Sequence, residues 1–571
     1  MSTHAMNPQD ADTSPDQTRF VLPFREGSRE QKALLGGKGA NLAEMTRIGL
    51  PVPPGFIVTT DACRRYLELG EVPGTLYDQV EEALRELEQD SGRGLGDPEA
   101  PLLLSVRSGA PFSMPGMMDT VLDLGATPET VPGLVTMGGE RFAWDVTRRF
   151  LEMFGSVVLG VDGEVFDHNL QAAIAEAGVE TERDLEPGQL EAVAHAHRRS
   201  ISDAGAKLPE DPREQLRLAI EAVFRSWNGN RARAYRRVEG IPDDLGTAVS
   251  VQRMVFGNLD DRSATGVAFS RDPATGEKVP YGDFLIGAQG EDVVAGTRAV
   301  EPLSVLGDHF PEVEEELLAH IETLEQHERD MCDVEFTVET GKLWMLQTRI
   351  GKRSATAALR MAVEMVDEGL IDEVEAVRRV TPKQLEALLH PRFGPDAPEP
   401  LTTGLAASPG AAVGAICLDS EEAKERGVAG EDVILVRPET SPEDLEGMVA
   451  SVGLLTSRGG LVSHAAVVAR GFGKPAVCGA NELRIDAKAG TVTVGDTVLH
   501  AGETISIDGT TGQVAVGAVE LEVPDDDPKV ARLLAWADDQ RQLHVFANAD
   551  TPDDARRALE AGAEGIGLCR T

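Results

Sequence analysis

The stretch Thr456 to Val477, TSRGGLVSHAAVVARGFGKPAV, leaves a folding chain few choices. Gly459 and Gly460 make a turn at which backbone can approach closely. Ser463 is an N-cap residue type, and His464 through Arg470 then sets small apolar residues between helix-forming ends. The pattern predicts a helix whose first turn carries His464, beside unsatisfied backbone N–H groups and the positive end of the dipole. Two consequences follow. The imidazole is biased toward its neutral, nucleophilic form, and a phosphoryl group placed on it meets a ready anion site. Ala465, Ala466 and Ala469 keep the helix face slim enough for a bulky partner. A histidine at a helix start is by itself more often a capping or packing residue, so its surroundings decide.

The whole string resembles the phosphohistidine signature of the pyruvate phosphate dikinase family, whose relatives are phosphoenolpyruvate (PEP) synthase and enzyme I of the sugar phosphotransferase system. On that resemblance His464 is the catalytic nucleophile. One position departs. Val462 stands where the family usually has Thr, the regulatory phosphorylation site of plant and many bacterial dikinases, and Ser463 is the only neighbouring hydroxyl.

At 571 residues the chain is expected to hold several domains. Hydrophobic content of 41% with 59 Gly and 33 Pro suits a loop-rich α/β protein. The formal net charge of −42 argues against nucleic acid and anionic membranes as partners. A polyanionic substrate must then be held by a local cluster of Lys, Arg and backbone N–H groups. The five cysteines are scattered without a CxxC pair, which fits a cytoplasmic location and argues against a structural zinc site. Residues 1–17 read as a disordered polar tail rather than a signal peptide, and no apolar run approaches membrane-spanning length.

The run Leu34 to Met45 is a Gly-rich turn entering a helix, not a Walker A loop, because Gly39 follows Lys38 where Ser or Thr should hold magnesium. It resembles the opening of the dikinase ATP-grasp domain, which makes Lys38 an ATP-phosphate ligand. Leu76, Val80, Ala83, Leu84 and Leu87 recur at helical spacing and predict a core-facing helix. Leu102 to Gly109 reads as a buried strand running into a loop, Ala110 to Thr120, shaped like a lid over phosphates. The family resemblance gives Arg107 an ATP-phosphate contact. Residues 140–237 look helical and charged. His168, His195 and His197 are read there as surface residues, and Arg148 and Arg149 match a family Arg pair or form a solvated helix face.

Asp333 to Arg349 alternates like two strands joined at Thr340-Gly341-Lys342. A three-residue loop sets Glu335 opposite Gln347 and Asp333 opposite Arg349 on one face; a two-residue loop puts Gln347 and Arg349 on the other. The three-residue loop is the expectation, because oxygen ligands from Glu335 and Gln347 suit Mg²⁺ and Arg349 suits a polyphosphate. The stretch resembles the last ATP-grasp strands of the dikinases. The same resemblance assigns Asp283, Glu291, Asp333 and Arg349 to ATP binding, with Asp283 standing where Glu is usual and Gly287 where Asn is usual.

The expected architecture is α/β and α+β multidomain. After the tail, residues 18–350 form an ATP-grasp nucleotide-binding domain with a helical subdomain at about 140–237. A helical linker covers 351–400, a swivelling β/β/α phosphohistidine domain 401–518 and a second linker 519–540. Residues 541–571 start a PEP/pyruvate (β/α)₈ barrel, in which Arg570 matches a substrate-binding Arg. A full barrel needs about 250 residues, so only a stub is expected.

The resemblance implies a dikinase that turns ATP, phosphate and pyruvate into AMP, pyrophosphate and PEP through His464, with Mg²⁺ as cofactor. This chain alone is expected to be limited to the ATP and phosphate half-reaction, and the partners to consider are a second copy in a homodimer or a separate barrel-containing protein. PEP synthase, which uses water in place of phosphate, is the enzymatic alternative. Ser463 (synthases commonly have Cys there) and the SMPGMMDT loop favour the dikinase. A non-catalytic nucleotide-binding or phosphocarrier subunit is the alternative of another class.

Overall fold

A computed structural model describes residues 18–112, 114, 118–295, 300–388, 392–394, 397–522, 527–560 and 562–569. Its β structure begins with a five-stranded antiparallel sheet, in spatial order Val21–Pro23, Gly55–Val58, Ala248–Arg253, Leu104–Gly109 and Thr120–Leu124. The strands Ala248–Arg253 and Leu104–Gly109 are buried on both faces, which is why neither alternates in sequence. Helices from Val131–Met153 to Asn230–Glu239 follow, and Phe142, Phe150, Phe154, Phe166 and Phe224 join Val106 and Val251 of the sheet in one core. Each such ring contributes about 1.5–3 kcal/mol by leaving water. The Leu76–Ser91 helix buries the five residues that its spacing singles out.

Two readings are corrected in this region. His168 and His195 are exposed, but His197 is fully buried, its ring edge against Phe166 with centroids 5.1 Å apart. Arg148 is buried too, at 3% exposure, so its part of the helix face is not solvated. It lies 2.9 Å from Asp145. The two signals were hidden because polar residues facing a helix stack break the 3.6-residue apolar period.

The second sheet is also five-stranded and antiparallel, in the order Lys342–Ile350, Cys332–Glu339, Ala264–Phe269, Tyr281–Ile286 and Glu301–Pro302. The helix Lys32–Arg47 ties the sheets together. Leu35, Leu42 and Met45 share one core with Ile57 and Ala248 of the first sheet and Phe336, Val338 and Leu343 of the second.

The third sheet has eight strands, ordered Thr402–Thr403, Gln513–Val516, Thr504–Asp508, Ala411–Cys417, Val433–Arg437, Gly453–Thr456, Ala476–Cys478 and Leu405–Ser408. Its fourth to seventh strands, from Ala411–Cys417 to Ala476–Cys478, are parallel. The chain enters and leaves this unit at one place, because Arg392–Phe393 pairs with Leu521–Glu522. The stretch 519–540, read as a linker, carries a helix, Pro528–Gln540. Leu533 and Trp536 pack it against Leu359 and Val363 of the Ala355–Asp367 helix, and Arg532 donates to Asp367 at 2.9 Å. Near the C-terminus Phe546–Ala547 pairs in parallel with Gly565–Ile566. The architecture is mixed α/β and multidomain. Among the described residues no helix is long and apolar enough to cross a membrane.

Candidate functional site

The site starts at Gly36. Its φ of +68° interrupts the Lys32–Arg47 helix, and a Cβ there would stand 1.6 Å from the Gly109 carbonyl oxygen. Only glycine lets the two backbones meet this closely. Gly37 N–H then donates to the Ala110 carbonyl at 2.8 Å. The GGKG turn is therefore welded to the end of the Leu104–Gly109 strand, and Lys38 comes into the field of Arg107.

The facing wall is the Cys332–Ile350 hairpin. Its loop is two residues, Thr340 and Gly341, both with positive φ (51° and 78°), as a tight hairpin turn requires. The three-residue loop is thus corrected, yet the expected partners still meet. A bulge between Met345 and Gln347 adds the missing residue, so Gln347 pairs with Glu335 and Arg349 with Asp333. Gln347 Nε2 donates to Glu335 at 3.0 Å, and Arg349 Nε donates to Asp333 at 2.6 Å. The bulge also holds the first wall: Arg107 donates to the Leu346 carbonyl at 3.2 Å, and to Gln252. Its Nε is buried without a hydrogen-bond partner among the described residues.

Lys38, Arg107 and Arg349 face one another with Glu335 among them. Burial first, then the charges of Arg107 and Arg349, push the Lys38 ammonium down to about 8, against the pull of Glu335. Burial pushes Asp333 up to about 6, opposed by Arg349. Cations gathered at such cost inside an acidic protein call for an anion to fill the space between them.

His464 opens the helix His464–Phe472. Ser463 is its N-cap, accepting from the Ala466 N–H at 3.4 Å. Arg470, buried on the same helix, donates to the carbonyls of Ala407 and Leu461, each at 2.7 Å, and so pins the loop ahead of His464. The half-buried ring lies 3.0 Å, Nδ1 to Oγ1, from Thr440. Burial lowers its proton affinity below the ordinary histidine value, Lys352 adds to this, and Asp444 and Glu443 oppose it. The neutral ring expected from the helix dipole is thus favoured mainly by desolvation. One cavity of about 2510 Å³ is lined by Lys38, Arg107, Asp333, Glu335, Gln347 and Arg349 together with His464.

Other expected residues fall outside that group. Asp283 shares the sheet face of Glu335, with Val267 between them, but a segment before His464 covers it. A Cβ on Gly460 would be 2.9 Å from its Oδ2. The Glu291 side chain and Arg570 lie outside the described residues, as do Ser113 and Pro115 to Met117 of the expected lid. Sequence reasoning missed Thr440 and Lys352. Thr440 sits 24 residues before His464, where no local period marks it; Lys352 had only a short basic run, RIGKR, to announce it. Arg149 was noted only as part of a pair, and it reaches Asp292 at 3.1 Å.

Among the described residues no group of three or more His, Cys, Asp or Glu side chains is set to hold a metal. Glu335 and Gln347 sit side by side with the amide nitrogen against the carboxylate; with that amide turned to present its oxygen, the pair would fit Mg²⁺, which uses one or two protein ligands when waters and substrate phosphates supply the rest.

Three family models match the chain. That of the pyruvate phosphate dikinase AMP/ATP-binding domain covers residues 32–78 and 69–316. Those of the mobile and PEP-binding domains of PEP-utilising enzymes cover 429–512 and 525–571. The class is thus that of the PEP-utilising enzymes. Among curated relatives, chloroplastic pyruvate, phosphate dikinases of Flaveria trinervia and of Oryza sativa subsp. japonica are each 50% identical over 96% of this chain. Pyruvate, phosphate dikinase 2 of Zea mays is 49% identical over the same share. The chain belongs to the pyruvate phosphate dikinase family. It spans 58% of the first two relatives and 62% of the third.

Proposed function

We propose that this chain carries out the ATP and phosphate half-reaction of a pyruvate phosphate dikinase, with His464 as the phosphoryl carrier. Residues 18–350 act as an ATP-grasp nucleotide-binding domain, 401–518 as a swivelling phosphohistidine domain and 541–571 as the start of the PEP/pyruvate barrel, where Arg570 binds substrate. The observation that carries the reading is the shared cavity: the imidazole and the cationic cluster line one space.

In the proposed reaction the lone pair of His464 Nε2 attacks the β-phosphorus of ATP, since Nδ1 is engaged by Thr440. An N–P bond forms as the bond to the α,β-bridging oxygen breaks, and its electron pair leaves on AMP. An oxygen of inorganic phosphate then attacks the γ-phosphorus as its bond to the β,γ-bridging oxygen breaks; pyrophosphate departs, and that oxygen stays with its electron pair on the phosphohistidine. Lys38, Arg107 and Arg349 hold the polyphosphate in line and offset the charge that builds on its oxygens. Asp333 orients Arg349, and Glu291 completes the nucleotide site, joined by Asp283 once the segment that covers it has lifted. Glu335 and Gln347 would hold Mg²⁺, which when bound neutralises phosphate charge. Onward transfer would make PEP from pyruvate in a complete barrel.

ATP labelled at the β-phosphorus should pass label to the wild-type chain and none to His464→Ala. Equal labelling of that variant overturns the reading. Release of pyrophosphate rather than phosphate separates the dikinase from PEP synthase.

A further inference from the structure

We infer that Lys352 is a further catalytic residue, the cation that contacts the phosphoryl group as it passes between the nucleotide cleft and His464. The inference rests on the phosphotransfer reading above and deepens it.

Lys352 follows the Lys342–Ile350 strand, three residues after Arg349. Its backbone is anchored, because Gly351 N–H donates to the Met331 carbonyl at 2.9 Å. The side chain lines the same cavity as His464, and Nζ stands 3.8 Å from where a Cβ on Gly471 would be. Gly471 belongs to the His464 helix and lies seven residues, about 10 Å, along its axis from the nucleophile. Lys352 is thus an ammonium that the second sheet presents to the carrier helix.

Its field reaches both sides of the gap, acting on Arg349 and Asp333 of the sheet and on Arg470 and His464 of the helix. Of the cations in the cluster, Arg349 is tied to Asp333 and Arg107 to Gln252 and the Leu346 carbonyl, while the Lys38 ammonium makes no salt bridge or hydrogen bond among the described residues. Among the described residues Lys352 makes no salt bridge or hydrogen bond. On the surface, by contrast, Lys278 pairs with Glu368, and Lys424 with Glu421 and Glu446. Burial and then Arg349 lower the proton affinity of Lys352, with Arg470 adding to the repulsion and Glu239 and Asp333 opposing it. An uncommitted cation placed among like charges is costly until an anion arrives beside it.

The chemistry supplies that anion. As the N–P bond to His464 forms and the bond to the AMP oxygen breaks, charge spreads over the oxygens of the transferring phosphorus. Lys352 donates charge-assisted hydrogen bonds to those oxygens and gives up no proton. Because it stands on the carrier side of the cationic cluster, its contact is made with the group in transit rather than with resting ATP.

The test compares the full chain with its Lys352→Met and Lys352→Arg variants, using β-labelled ATP with Mg²⁺. In Lys352→Met the rate of His464 labelling should fall roughly 10²-fold, while ATP affinity by calorimetry stays within about threefold. The pKa of His464, followed by NMR, should rise in that variant because a nearby positive charge has gone. Lys352→Arg should restore most of the labelling rate. Unchanged labelling in Lys352→Met overturns the proposal. So does a parallel fall of ATP affinity and rate, which makes Lys352 a residue of ground-state binding. If the wild-type chain takes no label, the phosphotransfer reading fails and this inference falls with it.

Discussion

His197 and His464 are both withdrawn from water, with different consequences. His197 sits in the core of the helical stack, accepts from Asn169 Nδ2 at 3.3 Å and leaves Nε2 without a hydrogen-bond partner among the described residues. Burial, with Arg148 adding to it, pushes its pKa down to about 4. The sign follows. Below about pH 6.5 the unfolded chain takes up the proton while the folded chain does not, so stability falls until both states are charged near pH 4. The loss amounts to about 3 kcal/mol for a shift of that size. Urea unfolding at stepped pH should show His197→Phe losing less stability than wild type between pH 6.5 and 4. Parallel curves would remove His197 as the cause. Neither ring's environment could be read from its neighbours in the chain. The N-cap and small-residue pattern placed His464 on a helix start, whereas the Thr440 contact and the burial depend on strands that meet it only in the fold.

At the scale of elements, the hairpin shows how far local pattern reaches. Alternation correctly set Glu335 against Gln347 and Asp333 against Arg349, but the three-residue loop inferred to explain it is absent. A tight turn plus a bulge achieves the same pairing. The bulge had no local signal because its partner, Arg107, arrives from 239 residues away. Deleting Leu346 tests this division of labour. A straight ladder would still place Gln347 opposite Glu335, so urea midpoints should move little. Arg107 would lose the bulge carbonyl that steadies it, and His464 labelling by ATP should slow by about tenfold or more. A large loss of stability with normal labelling per folded molecule would contradict that account. The GGKG turn was likewise a weak motif in sequence. Its meaning comes from the close meeting of Gly36 with Gly109, which only the sheet reveals.

At the scale of the whole molecule, the unit built on the third sheet is joined to the rest by two paired connections, and its loop before His464 lies over the second sheet. Val462 packs with Val267, Phe269 and Leu285, an apolar contact that explains a valine at a position where a hydroxyl is usual in the family. Next to it, Gly460 covers Asp283, whose Oδ2 is buried without a hydrogen-bond partner among the described residues. Burial pushes that carboxyl up from the ordinary carboxylate range to about 6. In the proposed swivelling the loop lifts away, water returns and the ordinary value is restored. As pH rises from about 4 to 6, the undocked state therefore loses its proton first, and docking weakens by up to about 3 kcal/mol before levelling off. At neutral pH the full penalty applies, which in the proposed swivelling would leave the unit loosely seated. Energy transfer between dyes on the first sheet and on the third should report more docked molecules as pH falls from 7 to 4. Asp283→Asn should flatten that response, since an amide does not titrate. A response of equal size in the variant would place the pH sensitivity elsewhere, with Asp333 next to be tested because it too is held near 6.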